Sequence, residues 1–219
     1  MKKYIKLFKK CPLFANIEEE NLLGMLDCLN ARKITAKKDS IIFHEGDPAT
    51  QIGIVLSGNV QVVRDDYYGN RSIVATIEEG HLFAESFACS QIQKLPVTIL
   101  ASTDCEVMLI DSERILTTCS NACEFHGKLI HNLLKIVANK NLLLNQKIEV
   151  TSKRTTREKL MTYLLNQAKK EGSNTFYIPF DRQGLADYLE VERSAMSAEL
   201  SKLCKSGVIE TKKNWFRIL

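Results

Sequence analysis

The stretch Asp181-Arg-Gln-Gly-Leu-Ala-Asp-Tyr-Leu-Glu190-Val-Glu-Arg193-Ser-Ala-Met-Ser-Ala-Glu-Leu200-Ser-Lys-Leu-Cys-Lys205 decides the fold of the carboxy-terminal third. Asp181 is a capping residue type and opens a short predicted helix, Arg182 to Leu189, which ends at Glu190-Val-Glu192. A second helix is predicted from about Arg193 to Lys205. Two short helices joined by a tight turn, with Leu185, Ala186, Leu189, Val191, Met196 and Leu200 as a shared packing set, match a helix-turn-helix.

At about 100° per residue, Met196, Leu200 and Leu203 fall in one stripe of the second helix. Ser194, Ala198, Ser201 and Lys205 lie opposite, flanked by Ser197 and Lys202, while Glu199 lies nearer the apolar side. A face of small, polar and basic residues without a carboxylate approaches phosphates and base edges closely. Arg193, at the front, is the side chain able to grip a guanine with two hydrogen bonds. Ser194 and Ser197 suit bases or phosphates, and Arg182, Lys202 and Lys205 suit phosphate neutralisation. Beyond Gly207, two apolar-alternating runs flank Lys212-Lys213-Asn214, so the chain is expected to end in a basic-tipped hairpin, a wing, with Trp215 and Phe216 packing its core.

Charge supports this division. The net charge is +4, but residues 1–146 hold 16 Lys+Arg against 17 Asp+Glu and residues 147–219 hold 14 against 9. The whole positive excess therefore lies in the last third, which suits a polyanion partner.

Upstream, from about Arg32 to Asp111, short β-rich runs alternate with turn residues. The runs are Ser40 to Phe43, Gln51 to Leu56, Asn59 to Val63, Ser72 to Ile77, Val97 to Leu100 and Glu106 to Ile110. Such spacing predicts a small antiparallel barrel or roll. Before it, Asn16 or Asn21 is expected to cap a helix carrying Leu22, Leu23, Met25, Leu26 and Leu29.

After the roll, residues from about Asn121 to Glu149 predict one long helix with two apolar stripes. One is Leu129, Leu133, Ile136 and Leu143. The other, Ile130, Leu134, Val137, Asn141, Leu144 and Ile148, steps by fours and threes, the coiled-coil period. Two faces need two partners, so the helix is expected to pack on its own roll and on the same helix of a second chain. Asn141 would fix register at that seam. The polar run Thr151 to Thr156 reads as a hinge.

These readings give an α+β chain: a β-roll sensor over 1–118, a dimerisation helix over 119–148 and a winged helix-turn-helix over 149–219. A length of 219 residues, 45% apolar and 26% charged, fits two compact units, and no run of eighteen apolar residues exists to span a bilayer. The first ten residues, rich in Lys, lack a secretory h-region and read as a solvated amphipathic turn or helix. Seven scattered cysteines without CxxC spacing read as reduced thiols, and the expected location is the cytoplasm.

Taken together, Phe43-His-Glu-Gly-Asp47, Ile54-Val-Leu-Ser-Gly58, Gly80-His-Leu-Phe-Ala-Glu85, Arg182 to Leu189 and Arg193-Ser-Ala-Met-Ser197 resemble the Crp/Fnr family of bacterial transcription regulators over nearly the whole chain. The resemblance implies a cupin-like jelly roll that senses an effector, a dimer helix and operator DNA as partner. RNA polymerase and an unidentified small molecule stay open as further partners; no cofactor, metal or membrane contact is expected. The resemblance places an effector pocket near Glu85, Lys94, Leu95, Leu133 and Leu134.

Departures from the family pattern bear on the effector. Nucleotide-binding members carry Gly-Glu and then Arg-Ser or Arg-Thr in the phosphate cassette. Here Ala84 replaces Gly, Glu85 remains, and Leu95-Pro96 stand in place of the Arg and hydroxyl. Neither pairs with a phosphate, and Lys94 is no bidentate fork, so cyclic AMP is not the expected effector. Many members also carry a second Arg at the position of Ala198.

Two alternatives remain at this stage. One is a cysteine-based redox or iron–sulfur sensor of the same family, using Cys11, Cys28, Cys89 and Cys105, or Cys119 with Cys123 as a thiol switch. The other is a β-barrel metal-dependent enzyme with a DNA-binding tail; it lacks the two-His-one-carboxylate spacing, since His44, His81, His126 and His131 are dispersed and explained by turns and surface position.

Overall fold

The computed structural model describes residues 1–65, 67–68, 71–90, 92–117 and 124–219. It forms two compact units, Met1–Ala138 and Asn139–Leu219, divided within the long helix. Cys119 and Cys123 lie outside the described residues.

The first unit opens with α1 (Ile5–Phe8) and α2 (Glu19–Cys28), followed by β1 (Arg32–Ala36), β2 (Ile41–Phe43), β3 (Gln51–Ser57), β4 (Val60–Asp65), β5 (Arg71–Ile77) and β6 (Leu82–Phe83). Then come α3 (Glu85–Cys89), β7 (Thr98–Ala101), β8 (Cys105–Asp111), α4 (Ser112–Leu116) and the start of α5 (Glu124–Thr151). The strands make two four-stranded antiparallel sheets, ordered β1-β8-β3-β6 and β2-β7-β4-β5. All six expected strands are present to within two residues at each end, and β1 and β6 are added to them.

Strands β3 and β8 explain the continuous apolar runs. They pair antiparallel with Ile52 opposite Ile110 and Ile54 opposite Met108. Side chains alternate between faces. Ile52, Ile54, Leu56, Met108 and Ile110 join a core with Phe8, Phe14, Leu22 and Leu26, while Val55, Val107 and Leu109 join the core between the sheets with Val60, Val62, Phe83 and Ile99. Both faces are thus covered. Gly53 makes room for this: a Cβ there would lie 2.0 Å from the Phe83 ring.

Three expectations are corrected in this unit. The amino terminus forms an amphipathic helix but is not simply solvated, because Phe8 is fully buried and Tyr4 nearly so, both in the core beneath the exposed lysines. Neither Asn16 nor Asn21 caps α2; Glu18 holds that position without a side-chain bond, and Asn16 instead adopts a left-handed backbone, φ +61°. His126 is buried rather than a surface residue, its Nε2 2.8 Å from the carbonyl oxygen of Arg114.

Helix α5 divides as its two stripes predict at its first turns. Leu129 and Leu133 are buried in the roll core, where full burial of each contributes about 2 kcal/mol. Leu134, Leu144 and Ile148 are more than 60% exposed, an unfavourable state for a stripe of large apolar side chains. Val137 and Ile136 pack partly on the roll, and Leu143 is exposed instead of following Leu129 and Leu133 inward.

The second unit holds the rest of α5, α6 (Thr156–Glu171), β9 (Thr175–Tyr177), α7 (Arg182–Leu189), α8 (Arg193–Lys205), β10 (Ile209–Lys212) and β11 (Trp215–Ile218). The segment expected as a hinge ends in a capping box: the Glu158 backbone N–H donates to Thr155 Oγ1 at 3.1 Å, and the Thr155 N–H donates to the Glu158 carboxylate at 3.0 Å. These bonds hold the Glu158 pKa below the usual carboxylate value. Strand β9 was not foreseen; it pairs with β11, making the hairpin a three-stranded sheet ordered β10-β11-β9. One core gathers Leu160, Leu164, Leu185, Leu189, Met196, Leu200, Leu203 and Phe216.

Candidate nucleic-acid interface

Both helices of the motif have the bounds read from the sequence. Asp181 caps α7, its Oδ1 accepting from the Gly184 N–H at 2.7 Å. Glu190 closes the helix in a left-handed conformation, φ +54°, and Lys147 of the long helix pairs with its carboxylate at 3.3 Å. Helix α7 is thereby closed at both ends.

On α8, Met196, Leu200 and Leu203 are buried, so the opposite face is committed to solvent. Arg193, Ser194, Ala195, Ser197, Ala198, Ser201, Lys202 and Lys205 are all exposed. Among the described residues, the side chains of Arg193, Lys205, Lys212 and Lys213 have no hydrogen-bond or ion-pair partner. Lys202 differs: its Nζ is drawn onto the Glu199 carboxylate, which the sequence reading had set apart from the polar face.

The wing brings a second cationic group alongside. Lys213 sits at its tip with φ +55°, between Lys212 and Asn214. Phe216 is buried and stacks on Phe176, with ring centres 6.4 Å apart and planes at 14°; Trp215 is half-buried. A cleft of about 600 Å³ is lined by Phe180, Asp181, Arg182, Arg193, Lys213 and Asn214, so the wing tip and the front of α8 share one opening.

Arg182, expected to neutralise phosphates, is half-buried. Its Nη2 donates to Thr211 Oγ1 at 3.0 Å, and its guanidinium lies 5.3 Å from the centre of the Phe216 ring. Partial burial lowers its pKa from the ordinary guanidinium value. Sequence reasoning missed Thr155, Thr156 and Arg157, which line a groove with Ala195, Ala198 and Lys202 of α8. The signal was available in Thr155-Thr-Arg-Glu158, a capping-box pattern that ends a helix start beside a cation.

The residues expected round an effector pocket separate. Glu85, Leu95 and Leu133 are buried, whereas Lys94 and Leu134 are exposed. Leu133 belongs to the roll core, and the backbone of Leu95 is bonded to Asp47 and Gly46 at 2.8 Å each. Glu85 begins α3 after Ala84, which holds a left-handed backbone at φ +63°, and Ser86 Oγ donates to its carboxylate at 3.2 Å. With Leu95 inside and Pro96 next to it, these two positions offer neither a guanidinium nor a hydroxyl to a cyclic phosphate. As for the thiols, burial pushes Cys11 up to about 11 and also raises Cys89 and Cys105, which keeps them protonated and poorly nucleophilic.

A family model of the cyclic nucleotide-binding domain matches residues 33–122, and one of the Crp-like helix-turn-helix domain matches residues 158–219. The chain belongs to the Crp/Fnr family. This Crp/Fnr regulator is 23% identical over 205 residues to electron transport regulator A of Shewanella oneidensis, covering 91% of this chain and 79% of that protein. It is 24% identical to the transcriptional activator protein FnrA of Stutzerimonas stutzeri, covering 95% and 84%. The solved structure of DNR from Pseudomonas aeruginosa shares its fold, with a TM-score of 0.53 at 20% identity over 100% of this chain and 95% of that one. The chain is thus a DNA-binding transcription regulator with a sensor domain of the cyclic-nucleotide-binding type. No helix among its described residues is long and apolar enough to cross a membrane.

Proposed function

We propose that this regulator works in the cytoplasm as a homodimer that binds a two-fold symmetric operator, without enzymatic activity, and that cyclic AMP is not its effector. The observation that carries the DNA reading is the free Arg193 fork at the front of α8, facing the same cleft as Lys213 of the wing. In this reading Arg193 reads a guanine, Ser194 and Ser197 bond bases or phosphates, and Lys205, Lys212 and Lys213 neutralise phosphates. Lys202 contributes less, because Glu199 already shares its charge.

Dimerisation is supported by the exposure of Leu134, Leu144 and Ile148 along α5. Asn141, on the same seam, accepts from Asn145 at 3.1 Å and stays polar. The absence of a phosphate fork at Leu95-Pro96 supports the effector reading. A small molecule in the roll and RNA polymerase remain the further partners this reading admits.

Selection of bound duplexes from a random pool tests the whole. The expected product is an inverted repeat whose half-site centres lie about 34 Å apart, one turn of DNA. Enrichment of single, unpaired half-sites, or no enrichment, would overturn it.

A further inference from the structure

We propose that Arg182 is a positioning residue that sets the wing against the helix-turn-helix, and not a ligand of the DNA backbone. The proposal rests on the DNA-binding reading of this face and names a part of its machinery. Arg182 begins α7, and Thr211 stands on β10 immediately before the cationic tip. Nη2 donates to Thr211 Oγ1 at 3.0 Å, and the same hydroxyl donates to the carbonyl oxygen of Trp215 at 3.0 Å. One chain of hydrogen bonds therefore runs from the first turn of α7 across both strands of the wing.

Stacking adds a second tie. The guanidinium covers the ring of Phe216, which pairs with Thr211 across the hairpin and is itself fully buried. A bidentate grip on a phosphate needs an accessible pair of N–H groups. Here Nη2 gives one of its N–H groups to Thr211, and Nη1 is buried without a hydrogen-bond partner, so the Nη1–Nη2 edge is not free to grip a phosphate. A lysine could not make both the planar stack and the directed bond. Since Lys212 and Lys213 follow Thr211 directly, the strut fixes where the wing presents its charge to the cleft it shares with Arg193.

Trp215 is the single tryptophan of the chain, so its emission reports the wing without interference. Thr211→Val removes the hydroxyl and leaves every charge in place. The expected result is a shifted Trp215 emission in the DNA-free protein and a loss of about tenfold in affinity for the selected operator. Arg182→Lys should bind as weakly as Arg182→Ala. In a double-mutant cycle, Lys213→Ala should weaken wild type but add little to Arg182→Ala, because both act through one wing.

The proposal is overturned if Thr211→Val leaves emission and affinity unchanged. Rescue by Arg182→Lys, or multiplying effects of Arg182→Ala and Lys213→Ala with each lowering the salt slope by about 0.9, would likewise identify Arg182 as a phosphate ligand. Should Arg182→Ala lose its circular dichroism, Thr211→Val and Arg182→Lys decide alone. If wild type binds no duplex, the DNA reading fails, while the emission of Thr211→Val still tests the strut.

Discussion

The side-chain amide of Asn132, on the buried face of the long helix, donates to the main-chain oxygen of Leu13 at 3.0 Å. It donates also to Ala15 at 2.9 Å, so one buried residue closes two carbonyls of a segment with no strand to pair it. Asn132→Ala should destabilise the amino-terminal unit by about 2–3 kcal/mol, since it leaves buried acceptors unmet. Urea denaturation followed by circular dichroism checks this; an unchanged midpoint would show that the bonds carry no stability.

Ala84 holds φ +63° immediately before α3, a conformation that costs an L-residue about 1 kcal/mol and glycine almost nothing. Ala84→Gly should therefore raise stability by somewhat under about 1 kcal/mol, glycine's greater unfolded-state freedom offsetting part of the relief. Thermal unfolding of the two proteins side by side measures it, and a lowered midpoint would contradict the strain argument.

Leu144 is 61% exposed on the seam of α5. Leu144→Asp should place a charge where a second helix packs, and it should convert the dimer to monomer at micromolar concentration with the fold retained. Sedimentation equilibrium reads the mass. A variant that still sediments as wild type would move the dimer interface elsewhere.

Titration calorimetry with cyclic AMP should show no saturable heat, because the buried Leu95 and the ring of Pro96 occupy the cassette positions where a guanidinium and a hydroxyl would be needed. Saturation in the micromolar range would mean that the roll has another way to hold a cyclic phosphate.

Much of this was legible before any coordinates. Helices α7 and α8 were placed to the residue, because Asp181 caps one and the Met196, Leu200, Leu203 stripe orients the other. The strands of the roll were legible from alternation and turns. What escaped was set by tertiary partners. Strand β9 is only three residues long and gains its identity from β11, and β6 is two residues paired to Gly53 and Ile54. The burial of Phe8 beneath a lysine-rich segment depends on a core assembled from distant strands. Arg182 looked like any surface cation, since its tie to Thr211 spans 29 residues and no local pattern encodes it. Ser194 and Ser197 were placed correctly on the exposed face, but Lys202 was assigned a free charge that Glu199, three residues earlier, takes up.

Arg193→Ala tests the central claim most directly. Measured by fluorescence anisotropy on the selected operator at fixed salt, with sedimentation and circular dichroism run on the same sample, the account predicts that specific binding falls to the level of unrelated DNA. The dimer and its fold should be intact. Operator affinity equal to wild type in the substituted protein would contradict the account, because Arg193 is the unpaired fork on which its reading of DNA depends.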